Sequence, residues 1–210
     1  MRLRSLSHDW SCKKRMGTIL CFGDSNTWGF DPRSFIGDRM PDDVLWTNLL
    51  ERKTGWHVEN HGQNGRQIPS SEHELIWARK LLDDMPDQAA QVWFWIMLGT
   101  NDLLVHEDFT AEDVIARMRT FLEAIMGHPN VRSGCVKLRL ISPPPMKRGA
   151  WADQERLVTE SARLGKLEGE LANDLGIAFT EAGLLPLLYD GVHLSEEGHR
   201  AFAELMAGLI

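Results

Sequence analysis

Ser25 follows the apolar run Thr18–Phe22 and the pair Gly23-Asp24. A serine so placed presents its hydroxyl where a chain leaving a strand turns into a helix. The helix N-terminus adds free N–H groups and partial positive charge. Far along the chain, Asp190 and His193 lie three residues apart, just before a helical pattern. A carboxylate that close holds an imidazole in one tautomer and stabilises its charged form. Serine, histidine and aspartate together supply a nucleophile, a base and an orienting acid. Acyl transfer also needs donors for a developing oxyanion. Gly65 can bring a bare backbone N–H close, Asn101 can offer a side-chain amide, and Ser25 can offer its own N–H. Each residue also has an ordinary reading: Ser25 as a helix cap, His193 as a surface residue capping the last helix, Gly65 and Asn101 as turn residues. Their joint placement after strands is what the ordinary readings do not explain.

That placement follows from the elements. Apolar runs alternate with helical patterns along the chain. The runs Thr18–Phe22, Gly55–Glu59, Gln91–Leu98, Cys135–Ile141 and Ile177–Thr180 read as strands. Gln91–Leu98 is apolar on both faces, as buried parallel strands tend to be. Helical spacing marks Asp43–Arg52, Ser70–Asp84, Thr110–Met126, Ala152–Leu175 and Ser195–Leu209, with Ser70, Ser71, Thr110 and Ser195 as start signals. Alternation of this kind implies an α/β fold, a three-layer α/β/α sandwich with helices on both faces of a parallel sheet. A five-stranded, flavodoxin-like strand order is expected, and ligands then bind beyond the carboxyl ends of the strands. All five candidate residues fall there. So does the proline cluster Ser142–Pro145.

Composition narrows the function classes. The chain has 210 residues, 43% apolar and 25% charged, which suits one globular domain over 17–210. Residues 1–16 carry basic residues without an apolar segment and are expected to form a disordered leader rather than a signal peptide. The net charge of −7 argues against nucleic acid or an anionic membrane as partner. No run approaches the roughly 18 apolar residues that a membrane helix needs. Three cysteines without metal spacing read as reduced thiols in a cytoplasmic protein. His57, His61 and His73 are too irregular to indicate zinc, so no metal and no cofactor is expected. Gly23–Gly29 lacks both the phosphate-loop and the dinucleotide spacing, and Ser25 is not in a G-x-S-x-G elbow.

Four short blocks carry a resemblance: Gly23-Asp24-Ser25-Asn26, Asn60 to Gly65, Gly99-Thr100-Asn101-Asp102, and Asp190-Gly191-Val192-His193. In this order they resemble the SGNH (GDSL-type) hydrolases. The wider segments Ile19–Gly29, Ile96–Asp102 and Ser142–Pro145 look like the bacterial arylesterase and acyltransferase branch. The resemblance implies Ser25 as nucleophile, Asp190 and His193 as the rest of a triad, and Gly65 and Asn101 as oxyanion donors. Gly62 is a rival for Gly65, which is preferred by its spacing from Asn60. Asn26 stands where the family usually has leucine. Asp24, Asn26, Trp28 and Pro144 are the expected substrate contacts, with Trp28 either walling the acyl pocket or packing in the core. Trp93 and Trp95 share one strand face, so core packing is their expected role. The expected function is a serine esterase acting on short acyl or aryl esters, with acyl transfer to alcohols as an extension. The alternatives are a carbohydrate acetylesterase, a thioesterase or a lysophospholipase on the same triad, and a binding domain that keeps only the fold. The eight tryptophans and the proline loop suggest a homo-oligomer whose contacts help wall the pocket.

Overall fold

The computed structural model describes residues 16–34, 36–84 and 91–210. The expected leader lies outside them, except for Met16. The elements run in the order β1 (Thr18–Gly23), α1 (Ser25–Trp28), α2 (Trp46–Thr54), β2 (His57–Gly62), α3 (Glu72–Asp83), β3 (Val92–Met97), α4 (Thr100–Val105), α5 (Ala111–Met126), α6 (Pro129–Arg132), β4 (Val136–Ser142), α7 (Glu155–Leu175), β5 (Ala178–Glu181) and α8 (Glu196–Ala207). The sheet order is β2-β1-β3-β4-β5, with every pairing parallel. This is the flavodoxin-like order that the alternation predicts.

Two apolar layers follow from the two-residue period of the strands. Leu20, Phe22, Phe94, Ile96, Leu138 and Leu140 face α3, α5 and α7 and build the larger core with residues such as Leu82, Phe121 and Leu164. The alternate residues Ile19, Cys21, Trp95 and Met97 face α2 and α8 and pack on Trp46, Leu50, Phe202 and Met206. Trp93 packs on that same layer. Trp46, Trp56 and Trp95 are therefore core residues, while Trp77 and Trp151 stay about half exposed.

Several boundaries differ from the sequence reading, each for a local reason. The second helix starts at Trp46 rather than Asp43, because Val44 closes a turn on Pro41 and packs with Met40 and Leu45 in a small separate cluster. β2 starts at His57 because Gly55 caps the preceding helix in a left-handed conformation. α7 starts at Glu155, since the N–H groups of Trp151 and Ala152 donate to Asp190 instead of opening a helix. The capping boxes at Ser71/Glu74 and Thr110/Asp113 are both formed. Among the described residues, no helix is long and apolar enough to cross a membrane.

Candidate active site

β1 ends at Gly23, and the chain turns at once into α1. A side chain at Gly23 would put a Cβ 2.0 Å from Thr27 Oγ1, so the turn stays tight only without one. Asp24 caps α1, its Oδ1 accepting the Asn26 N–H at 2.9 Å. Ser25 is the first helical residue, and its own N–H finds no partner among the described residues. At the other end of the chain, the loop between β5 and α8 folds back over this turn. His193 Nε2 lies 2.9 Å from Ser25 Oγ, and His193 Nδ1 lies 2.5 Å from Asp190 Oδ2. An ionised carboxylate only accepts, so Nδ1 carries the proton and Nε2 is left to accept from the serine hydroxyl. Asp190 Oδ1 also accepts the N–H groups of Val192 and His193. Burial alone pulls the Asp190 carboxyl upward, but the His193 hydrogen bond and the two N–H groups outweigh it and hold it below the usual carboxylate range.

Gly65 and Asn101 come to the same strand edge. The Gly65 N–H has no partner among the described residues, whereas Gly62 already donates to Asn60 Oδ1 at 3.0 Å. Gly62 has a packing reason to be glycine, because a Cβ there would meet the Trp28 N–H nitrogen at 2.2 Å. Asn101 sits in the first turn of α4. It donates one amide hydrogen to the Arg66 carbonyl at 3.1 Å, which leaves the second one free. The loop that holds Gly65 is tied down by Asp102 and Arg117. Asp102 Oδ2 accepts the Ile68 N–H at 3.1 Å. Asp102 Oδ1 lies 3.2 Å from Arg117 Nη1. Burial raises the Asp102 carboxyl, against the opposing pull of Ile68 and Arg117.

Two of the expected substrate contacts, Asn26 and Asp24, are buried and hold structural bonds. Asn26 is 2% exposed and clamps the histidine loop. Its Nδ2 donates to the Val192 carbonyl at 3.1 Å, and its Oδ1 accepts the Leu194 N–H at 2.9 Å. Asp24 is 1% exposed, and burial raises its carboxyl to about 6, with Asn26, His193 and Arg66 opposing. The Asn26 amide is thus committed inside the fold, while Asp24 uses Oδ1 as the α1 cap and keeps Oδ2 buried without a partner among the described residues. Trp28 is half-buried, with the Arg39 guanidinium 5.9 Å from its ring centre. Pro144 is buried. The side chains at the imidazole are ones the sequence did not single out. The Phe30 ring lies 4.8 Å from it and the Trp151 ring 5.0 Å, meeting it edge-on. Both come from loops, where hydrophobic periodicity gives no signal.

The loop that presents Trp151 is interlocked with the loop that presents His193. Lys147 N–H donates to the Gly191 carbonyl, Ala150 N–H to Tyr189, and both Trp151 and Ala152 N–H to Asp190. A Cβ on Gly149 would lie 2.3 Å from the Asp190 carbonyl carbon. One on Gly191, at φ +79°, would lie 1.9 Å from the Lys147 oxygen. His57 and His61 flank Glu59, His57 also meets Glu51, and no group of three or more side chains placed to hold a metal ion is found among the described residues.

Comparisons with known proteins identify the family. The model of the GDSL-like Lipase/Acylhydrolase family matches residues 21–201. The chain belongs to that family. Family membership, with esterase relatives of the same fold, makes it a carboxylic ester hydrolase. A candidate arylesterase from Agrobacterium tumefaciens str. C58 is 30% identical, with a TM-score of 0.78 over 92% of this chain and 98% of that one. A carbohydrate acetylesterase family member from Sinorhizobium meliloti is 26% identical, with a TM-score of 0.78 over 92% and 97%. The aryl esterase of M. smegmatis shares the fold at 24% identity, with a TM-score of 0.77 over 92% and 97%. Among curated proteins, no match is found.

Proposed function

We propose that this GDSL-family hydrolase cleaves short-chain acyl esters through an acyl-enzyme on Ser25. The observation that carries the reading is the unbroken chain from Ser25 Oγ through His193 to Asp190, at 2.9 and 2.5 Å. His193 Nε2 takes the serine proton as Oγ attacks the ester carbonyl. Asp190 keeps the imidazole in the accepting tautomer and stabilises the charge it gains. The oxyanion forms against the N–H groups of Ser25 and Gly65 and the free amide hydrogen of Asn101, all fixed before substrate arrives. Collapse returns the proton from His193 to the leaving alcohol. Water then repeats the sequence in reverse order and frees Ser25.

The rings of Phe30 and Trp151 beside the imidazole support small acyl groups and aryl leaving groups, because they give an apolar wall where the alcohol departs. His193 is only 2% exposed, which also supports transfer of the acyl group to an alcohol that displaces water. The test is Ser25→Ala assayed on p-nitrophenyl esters of increasing chain length. The variant folds and loses on the order of 10⁴-fold in turnover, as removal of a triad nucleophile does. The wild-type enzyme labels at Ser25 with a fluorophosphonate and prefers acetate over octanoate esters. Turnover by Ser25→Ala above a tenth of wild type would refute the assignment. A flat chain-length profile would refute the short-acyl preference alone.

A further inference from the structure

We infer that Arg117, on α5 and outside the triad, is a positioning residue that sets the two oxyanion donors not carried by Ser25. The inference rests on the oxyanion roles proposed for Gly65 and Asn101. Those donors come from separate elements: Gly65 from the loop after β2, Asn101 from α4. Two direct bonds, Asn101 to the Arg66 carbonyl and the Ile68 N–H to Asp102, tie the two elements together. Arg117 reaches both. Its Nη2 donates to the Ile68 carbonyl at 3.0 Å and to Ser70 Oγ at 3.2 Å, and its Nη1 to Gln67 Oε1 at 3.2 Å. Those three bonds fasten the segment that follows Gly65. The same Nη1 lies 3.2 Å from Asp102 Oδ1, on the residue next to Asn101. Asp102 closes the loop by accepting the Ile68 N–H, and Asn101 closes it again by donating to the Arg66 carbonyl.

The arrangement is costly unless it positions something. Asp102 is fully buried, and a second buried acid, Glu168 on α7, has both oxygens without a partner. A buried carboxylate next to another acid needs a cation beside it. Arg117 pairs with Asp102 by charge alone, since Asp102 Oδ1 accepts no hydrogen bond among the described residues, and it directs its planar donors to Gln67, Ile68 and Ser70. Lysine has the charge but not the fork, so it cannot hold Ile68, Gln67 and Asp102 together. His106 is part of the same cluster, with Nε2 at 2.9 Å from Gln67 Oε1 and 3.2 Å from Arg117 Nη1. Removing the fork lets the Gly65 loop drift from α4. A drift of about 1 Å in a catalytic group costs roughly 10²-fold in rate.

The experiment compares Arg117→Met, Arg117→Lys, Arg117→Ala and Arg119→Met on p-nitrophenyl acetate. Arg119 is on the same helix, but its ion pair with Asp174 is exposed, so it controls for charge and helix effects. Arg117→Met should lose roughly 10- to 100-fold in kcat with KM within about threefold. It should bind a trifluoromethyl ketone, which forms an oxyanion on Ser25, weaker by a similar factor. Arg117→Lys should show the same split to a smaller extent, and it is the variant to read if the methionine does not fold. Millimolar guanidinium should restore part of the kcat of Arg117→Ala. Arg119→Met should match wild type. A folded Arg117→Met or Arg117→Lys enzyme with wild-type kcat and wild-type ketone affinity would overturn the positioning role and leave the triad reading intact. An active Ser25→Ala enzyme would instead overturn the reading on which the inference rests.

Discussion

Removing the Asn26 side chain separates two roles that its position beside the nucleophile would allow. In Asn26→Ala, the Val192 carbonyl and the Leu194 N–H both lose their partner. Each is a backbone group in a buried segment, and a buried group left unpaired costs about 1–3 kcal/mol. The sum is about 2–6 kcal/mol, against a total stability on the order of 5–15 kcal/mol. At about 2–4 °C per kcal/mol for a chain of this size, a mid-range loss of about 4 kcal/mol lowers Tm by about 12 °C. The two groups bracket His193, so the imidazole loses its fixed distance to Ser25 and kcat falls with little change in KM. Thermal unfolding followed by tryptophan fluorescence gives the first quantity, and steady-state kinetics well below the transition gives the second. A Tm within about 1 °C of wild type, with KM raised and kcat held, would show that Asn26 touches substrate and that the clamp carries no energy.

Two more predictions test the buried polar groups. Asp24 has a folded pKa of about 6 against an ordinary 3.8, so its contribution is full below about pH 4 and is lost as pH rises through 6. The difference is worth about 3 kcal/mol. Asp24→Asn should flatten the pH dependence of the urea midpoint between roughly pH 4 and 8, and parallel curves for the two proteins would refute the burial argument. Asn101→Ala should lower kcat by roughly 10²–10³ with Tm little changed. A rise in KM alone would make Asn101 a ground-state contact.

Most of the sheet was legible because the inner strands announce themselves locally, whereas β2, His57–Gly62 with only Val58 buried, does not. Val92–Met97 is apolar throughout, Thr18–Gly23 stops at a glycine, and helices such as α3 and α5 open with capping residues. Ser25, His193 and Asp190 were legible as residue types at strand ends, and the structure brings them within hydrogen-bond reach. The short helices α1, α4 and α6 were not, since four to six residues are too few to show a helical period. The clamp role of Asn26 was not legible because its partners lie 166 and 168 residues away, and nothing in the local sequence encodes them. Phe30 and Trp151 were missed for the same reason: only the meeting of two loops makes them neighbours of His193. Arg117 carries no local signal, because its partners Gln67 and Ile68 lie 50 and 49 residues away on another loop.

The interlocked glycines limit how this enzyme can be altered. Gly149 and Gly191 let the strand-four loop and the histidine loop press backbone against backbone. The Trp151 ring and the His193 imidazole are thus carried by one mechanical part. Lengthening or grafting the 147–151 segment to widen the pocket would displace the imidazole as well. Variation in substrate range is easier to reach by exchanging side chains at Phe30 and Trp151 than by remodelling the loop. Evolution or engineering that changes the loop must change the histidine turn in step, and the two glycines mark where the paired changes have to begin.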